Sequence, residues 1–543
     1  MRDLLGFASV TGRVLDLDAV TPETTADGLT DPLDRAPSTA GMTTRVVKGS
    51  IWTLAGQVLP LFASLATTPM IIRMLGSEGY GVLILIGLIP TYFSFSELGM
   101  GIASTRFASE AYARGDLEGE ARAIRTAGLI ALVASTIVAV PIAVFAPAII
   151  GQFNVPGALH GEAVTGLRIC AAVFVTTIIC GVINTAQLTR LRMDLNAAIN
   201  GISKVLSSVG TVLVLYFGGG IVGAAVWFLA MGVVNITAHI LVSGRLLKQF
   251  LDISIDRRLI RPLLKFGAGL AFSAVAAVLL VNLEKLLVGR LISVESLAFY
   301  SVAFAFANMA TLFSSAMVQS LVPAFSQLLA PEKRQQFNDL FARSLKLSII
   351  MLLPTLMVLF VIAKPFFTVW AGPDFGRESS GPFYILLGGL FFNIIAFIPW
   401  ASIISVGRTD LTAKIHWSEV VPYAAAAVLL INYFGVIGAA LVWSLRVAVD
   451  SILQLWFARR VAGARTELRR TAPAVLLGII VLAPSPLFAF FYDNYSPWLV
   501  LISSLSIVVY LATSWRILIT PDERHWIAAK LPAFVRKPVL MVS

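Results

Sequence analysis

Apolar runs of roughly 20 positions, separated by short polar stretches, recur from Gly49 almost to the C-terminus. As α-helix, a run of that length covers ~30 Å of hydrocarbon, where each backbone N–H and C=O must find its partner within the segment. About fourteen such spans fit between Gly49 and Leu518, which predicts an all-α polytopic membrane protein. The alternating strands of a membrane barrel, about 10 residues each, are not seen.

The polar stretches alternate in charge. Arg106, Arg114, Arg122 and Arg125, then Arg190 and Arg192, then Arg257, Arg258 and Arg261 fall on one side, and Arg408, Lys414, Arg459 and Arg460 continue the series. Roughly 30 of the 41 Lys and Arg residues lie on that side, against Arg73, Arg290, Lys364 and Arg377 on the other. This bias, with an even number of spans, predicts that both termini are cytoplasmic.

Sliding the chain along itself gives a match at an offset of 216 to 218 residues. Arg192, Asp194, Leu195 and Ala197 meet Arg408, Asp410, Leu411 and Ala413, Trp227 meets Trp443, and Arg73 meets Arg290. Six spans separate the copies, so both enter the membrane in one direction and are related by a pseudo-two-fold axis along the membrane normal. The expected organisation is a disordered cytoplasmic tail (1–44), a six-helix lobe (45–248), a second six-helix lobe (249–465), two extra transmembrane helices (466–520) and a cytoplasmic tail (521–543), with a cleft between the lobes.

Composition agrees with a bilayer as solvent: 57% of the 543 residues are hydrophobic, 13% are charged, and the mean hydropathy is +0.85. Topology accounts for the net charge of +11, so no nucleic acid partner is expected. Cys170 and Cys180 lack metal-ligand spacing and read as small core residues, and no metal site is expected.

A charge at membrane depth costs several kcal/mol unless it meets water, a partner or a ligand. The residues concerned are Glu97, Arg168, Lys204, Glu284, Lys285, Glu419, Arg446 and Asp450. Arg446, Lys204, Lys285 and Arg168 form the candidate site for an anionic headgroup, because guanidinium forks and ammonium charges suit phosphate. Two plainer readings compete: Arg446 pairs with Asp450 one helical turn on, and Lys285 and Arg168 snorkel to an interface. Polar stripes place Gln57, Thr91, Ser94, Asn282, Asn308 and Ser315 along the cleft. Glu97, Asp450 and Glu419 are the candidates for coupling transport to a proton or sodium ion; no other cofactor is expected.

Arg73 to Gly81 (RMLGSEGYG), Glu97 to Gly101 (ELGMG), Phe107 to Asp116, Gly289 to Val302 and Gly407 to Asp410 together resemble the polysaccharide transporter, or O-antigen flippase, family of the multidrug/oligosaccharidyl-lipid/polysaccharide (MOP) superfamily. The resemblance implies two six-helix lobes around a cationic cavity and alternating access. It also implies a cargo of undecaprenyl-pyrophosphate-linked oligosaccharide, moved across a bacterial inner membrane for O-antigen, capsule or exopolysaccharide assembly. Membrane lipids, a polymerase and glycosyltransferases of the same pathway are the implied partners. A multidrug exporter and a flippase for lipid-linked peptidoglycan precursor are the neighbouring alternatives. A membrane polymerase or a nontransporting scaffold is the alternative of another class; the short loops around Gln152 to Glu162 and Ala371 to Gly381 give little room for an enzyme's active site.

Overall fold

The computed structural model describes residues 39–252, 255–464, 468–491, 497–521, 523 and 524. The chain divides into two compact units, Met1–Lys48 and Gly49–Ser543, and the second carries everything that follows. Most of the two expected tails, 1–44 and 521–543, lies outside the described residues.

Helices follow one another with short turns: α1 (Thr39–Thr91), α2 (Met100–Ala113), α3 (Leu117–Val144), α4 (Ala146–Ile150), α5 (Gly157–Ile183), α6 (Thr185–Thr189), α7 (Met193–Tyr216) and α8 (Gly220–Leu246). The second half continues with α9 (Arg257–Leu291), α10 (Val294–Met309), α11 (Thr311–Ser326), α12 (Arg334–Ala371), α13 (Pro373–Glu378), α14 (Ser380–Ser405) and α15 (Thr409–Phe457). Then come α16 (Leu468–Leu482), α17 (Pro484–Phe491) and α18 (Pro497–Thr513). No strand occurs among the described residues. Side-chain caps start several helices: Asp116 Oδ1 accepts from Gly119 N (2.7 Å), Asp256 Oδ1 from Arg258 N (2.9 Å) and Ser293 Oγ from Ser296 N (3.0 Å).

Eleven helical stretches of the described residues are long and apolar enough to cross a membrane. The sequence suggests about fourteen spans, and the difference arises where one stretch holds more than one helix. Gly56–Ala113 and Thr409–Ala462 run to 58 and 54 residues. Straight helices of that length would exceed about 80 Å, far more than one bilayer. Each breaks at a glycine of positive φ, Gly76 (71°) and Gly435 (59°). The break at Gly435 is a reversal: a Cβ on Gly438 would stand 2.0 Å from the carbonyl oxygen of Leu430, whereas eight residues of straight helix would separate them by about 12 Å. Phe62, Ile137, Val369, Val421 and Ile480 are exposed around the outside, a lipid-facing belt. The protein is a multi-pass, all-helical membrane protein.

The repeat reappears as matched local geometry. Gly218, between α7 and α8, and Gly435 inside α15 both have positive φ and stand 217 residues apart. Just before α7, Arg192 bridges Asp194 at 3.0 Å, and just before α15, Arg408 bridges Asp410 at 2.9 Å. Leu191 and Gly407, the residues ahead of these arginines, both have positive φ. The C-terminal helices α16 and α18 share a buried core with α12, including Ile349, Met357, Ala474 and Tyr510.

Candidate functional site

The two halves of the chain meet where Leu98 O approaches Gly267 and Arg106 lies 4.7 Å from the Phe266 ring centroid, and again at one end of the bundle. Ser77 Oγ donates to Glu295 Oε1 (2.6 Å), Asn154 Nδ2 donates to the carbonyls of Ile292 (2.9 Å) and Arg290 (3.2 Å), and Trp370 Nε1 donates to Leu65 O (2.8 Å). Gly81 lies so close to α10 that a Cβ there would sit 1.9 Å from the carbonyl oxygen of Val294. Only a residue without a side chain permits that approach.

Away from this bridged end, the halves enclose a cavity of about 470 Å³. The first half contributes Ser94, Phe95, Glu97, Gly99 and Ile102; α9, α14 and α15 contribute Leu270, Ser273, Trp400, Thr412 and His416 among others. A smaller cavity of about 290 Å³ shares Ala277, Trp400, Thr412 and His416 with it and ends among Asn393, Arg446, Asp450 and Gln454. The linked space is therefore mostly apolar and aromatic, with hydroxyls along it and one guanidinium at its depth.

The reversal at Gly435 builds that depth, since it lays the second arm of α15, with Arg446, Asp450 and Gln454, beside the first arm, with His416, Glu419 and Tyr423. Arg446 Nη1 stands 3.6 Å from Glu419 Oε2, with side chains 12% and 5% exposed. That distance is too long for a hydrogen bond, and neither Glu419 oxygen, nor Arg446 Nε, nor Gln454 Oε1 has a hydrogen-bond partner. Asp450 Oδ1 accepts from Gln454 Nε2 at 3.3 Å. The pairing of Arg446 with Asp450 suggested by the sequence is thus replaced by a looser pair with Glu419, because the turn supplies a carboxylate that helix spacing could not reveal.

The other expected cations are not gathered here. Arg168 is exposed on α5 and donates to Ala143 O (3.3 Å), and Lys204 is exposed on α7; neither lines either cavity. Lys285 is buried outside both, its ammonium 3.8 Å from the Phe304 ring centroid and bonded to Asn282 Oδ1 (3.0 Å) and Val281 O (3.2 Å). The linked lining carries one cation, Arg446, and two carboxyl residues, Asp450 beside it in the smaller cavity and Glu97 in the larger, so the expectation of a cationic cavity is corrected. Long basic side chains at membrane depth reach polar groups or the surface instead of the interior.

Among the polar residues expected along the cleft, Ser94 lines the larger cavity, as does Glu97, whose Oε1 accepts from Gly101 N at 2.8 Å. Gln57, Thr91 and Asn308 are exposed and line neither cavity, Asn282 is engaged by Lys285 and by the Tyr92 hydroxyl, and the side chain of Ser315 lies outside the described residues. Sequence reasoning missed His416, Trp400 and Gln454. The signal for two of them was present: His416 precedes Glu419 by three residues and Gln454 follows Asp450 by four, so each extends a polar stripe on its own arm. It also missed a buried hub behind the site. Glu284, fully buried, accepts from Tyr423 (2.7 Å) and Tyr300 (3.4 Å), and the Tyr423 ring lies 5.9 Å from the Arg446 guanidinium.

The family model described as "Polysaccharide biosynthesis protein" matches residues 46–329, just over half of the chain, and the MatE model matches residues 270–422. A Shigella flexneri protein named "Putative O-antigen transporter" is 25% identical over 424 residues, covering 76% of this chain and 98% of its own. Among solved structures, "Lipid II flippase MurJ, inward closed conformation" superposes with a TM-score of 0.65 at 16% identity, covering 87% of this chain and all of that one. An inward-facing multidrug resistance MATE family transporter of the MOP superfamily gives 0.60 at 13% identity, covering 76% of this chain and 98% of that one. The chain belongs to the polysaccharide biosynthesis protein family and has the fold of the MOP superfamily.

Proposed function

We propose that this protein is a flippase that carries lipid-linked oligosaccharide units from the cytoplasmic to the outer face of a bacterial inner membrane by alternating access. The observation that carries the reading is a cavity walled by both halves of a duplicated chain, with hydrogen bonds joining those halves at one end. The basic loops lie at the other end, which the positive-inside bias makes cytoplasmic, with both termini there. The structure then corresponds to an inward state, with residues 45–248 and 249–465 as the two moving lobes. The Shigella relative's name supports the cargo class. The aromatic and hydroxyl lining, Phe95, Trp400, Ser273 and Thr412, suits sugar rings and their hydroxyls, while Arg446 suits the phosphate that joins sugar to lipid.

No covalent step is assigned to the protein. A polymerase and glycosyltransferases are the expected pathway partners, downstream and upstream of the carried unit. Deletion of the gene tests the reading: lipid-linked units are expected to accumulate on the cytoplasmic leaflet while surface polysaccharide falls. Unchanged polysaccharide with no accumulation overturns it, and gained sensitivity to cationic drugs alone favours a multidrug exporter.

A further inference from the structure

We infer that Glu419 is a built-in substitute for the cargo's phosphate, holding Arg446 when the cavity is empty and releasing it on taking up a proton, so that a phosphate anion and a proton bind together. The inference rests on the flippase reading for the identity of the cargo, but the binding chemistry stands on the cavity itself.

Arg446 and Asp450 line the end of the smaller cavity and Glu419 stands 3.6 Å from Arg446, so two carboxyl groups compete for one guanidinium at bilayer depth. A phosphate entering that group would meet Glu419 and Asp450 as well as Arg446, and like charges at short range in a low-dielectric site repel strongly. The pair is also poised to open. The 3.6 Å separation leaves both Glu419 oxygens and Arg446 Nε without hydrogen bonds although the residues are buried, an arrangement that leaves desolvation largely unrepaid. A phosphate oxygen at Arg446 would satisfy the free guanidinium donor, and the protonated Glu419, now an O–H donor, has an acceptor in the same phosphate.

The exchange balances. One proton neutralises the Glu419 carboxylate, one phosphodiester negative charge takes its place at Arg446, and the charge of the group is the same before and after. The other titratable and charged neighbours are His416, Tyr423 and Asp450 on α15, Glu284 and Lys285 on α9, and Tyr300 on α10. Glu284 is occupied by its two tyrosines and Lys285 by Asn282, which leaves Glu419 as the carboxyl group beside Arg446 that has no hydrogen-bond partner of its own.

The test measures binding of a short-chain prenyl phosphodiester, which has no titrating proton of its own between pH 5 and 9, to the purified full-length protein. For the unmodified protein, affinity is expected to fall by up to about tenfold for each unit of pH rise over part of that range. Binding in weak buffer should take up close to one proton per probe. Glu419→Gln should bind at high pH as well as the unmodified protein binds at low pH, with a flattened profile, and Arg446→Ala should lose the probe.

If Glu419→Gln does not yield folded protein, the proton uptake of the unmodified protein still decides: none on binding overturns the inference. A Glu419→Gln profile that keeps the original slope overturns it too, and assigns the proton to Asp450 or His416. Failure here with an intact deletion phenotype leaves the flippase reading standing, whereas normal polysaccharide in the deletion strain removes the flippase reading but not the coupled anion site.

Discussion

Four basic residues within apolar spans have three different fates, and the difference is a matter of reach. Arg168 and Lys204 are exposed on their helices, Lys285 folds back against Phe304 and its own helix carbonyl, and Arg446 is held beside Glu419 and the Tyr423 ring. Arg168→Ala and Lys204→Ala are therefore expected to leave transport within about twofold of normal, while Arg446→Ala reduces it at least tenfold, in an assay of lipid-linked units flipped in proteoliposomes. Equal losses from all three would mean that the exposed pair meets the cargo after all. The sequence showed which residues were charged at depth but not which way they turn, since that depends on the neighbours a fold supplies. Glu97 and Ser94 were legible because they share a helical stripe; the Arg446–Glu419 pair was not, because 27 residues and a reversal separate its members.

At the scale of elements, glycines decide where a helix turns back. Gly435 adopts φ 59° and ψ −136°, a region that a side chain enters only with strain of about 1–3 kcal/mol. Gly435→Ala should lower the melting temperature and loosen the pairing of the two arms of α15. The closer constraint is at Gly438, where any Cβ collides with Leu430 O, so Gly438→Val should be the more damaging of the two; the reverse order would mean that backbone strain, not arm packing, sets the turn. The turn itself was legible. The Arg-x-Asp of residues 408–410 repeats that of 192–194, both become ion pairs at a helix start, and the sequence divides the apolar run into spans ending at Phe434 and starting at Val436, on either side of Gly435.

The C-terminal segment is fastened by charge. Glu523 Oε2 accepts from Lys346 Nζ (2.6 Å) and from Thr520 N (2.9 Å). Burial alone would raise its carboxyl, but these bonds, chiefly the one from Lys346, hold it below its ordinary 4.5. A group depressed in the folded state stabilises above its unfolded value and loses that contribution as the pH falls through the folded one. Glu523→Gln is accordingly expected to lower thermal stability at pH 7, with the gap to the unmodified protein closing below about pH 4, as thermal unfolding across pH would record. A gap that persists in acid would assign the loss to packing instead of charge.

For the whole molecule, the question is what keeps one end shut while the other holds a cavity. Direct bonds across the bridged end are few: Ser77 to Glu295, Asn154 to two carbonyls, Trp370 to Leu65 and Arg73 to Val369 O. A handful of hydrogen bonds, each worth about 1 kcal/mol net, suits an interface that must open in every cycle better than one that must endure. What makes the closure tight is the bare backbone of Gly81 against Val294 O. Gly81→Val places a wedge there without touching the cavity lining, so the protein should insert and fold while its equilibrium moves toward the state open at that end. Transport is expected to drop at least tenfold, since a cycle that cannot close cannot reset. The wedge should also make a cysteine introduced at Ser273, deep in the larger cavity, react with a membrane-impermeant maleimide added from the outer side, as it should not in the otherwise unmodified protein. Transport at the normal rate with an unreactive Ser273→Cys would mean that the halves do not part along this seam. Lost transport with that cysteine still shielded would place the opening elsewhere, and the inward reading of the structure would fall with it.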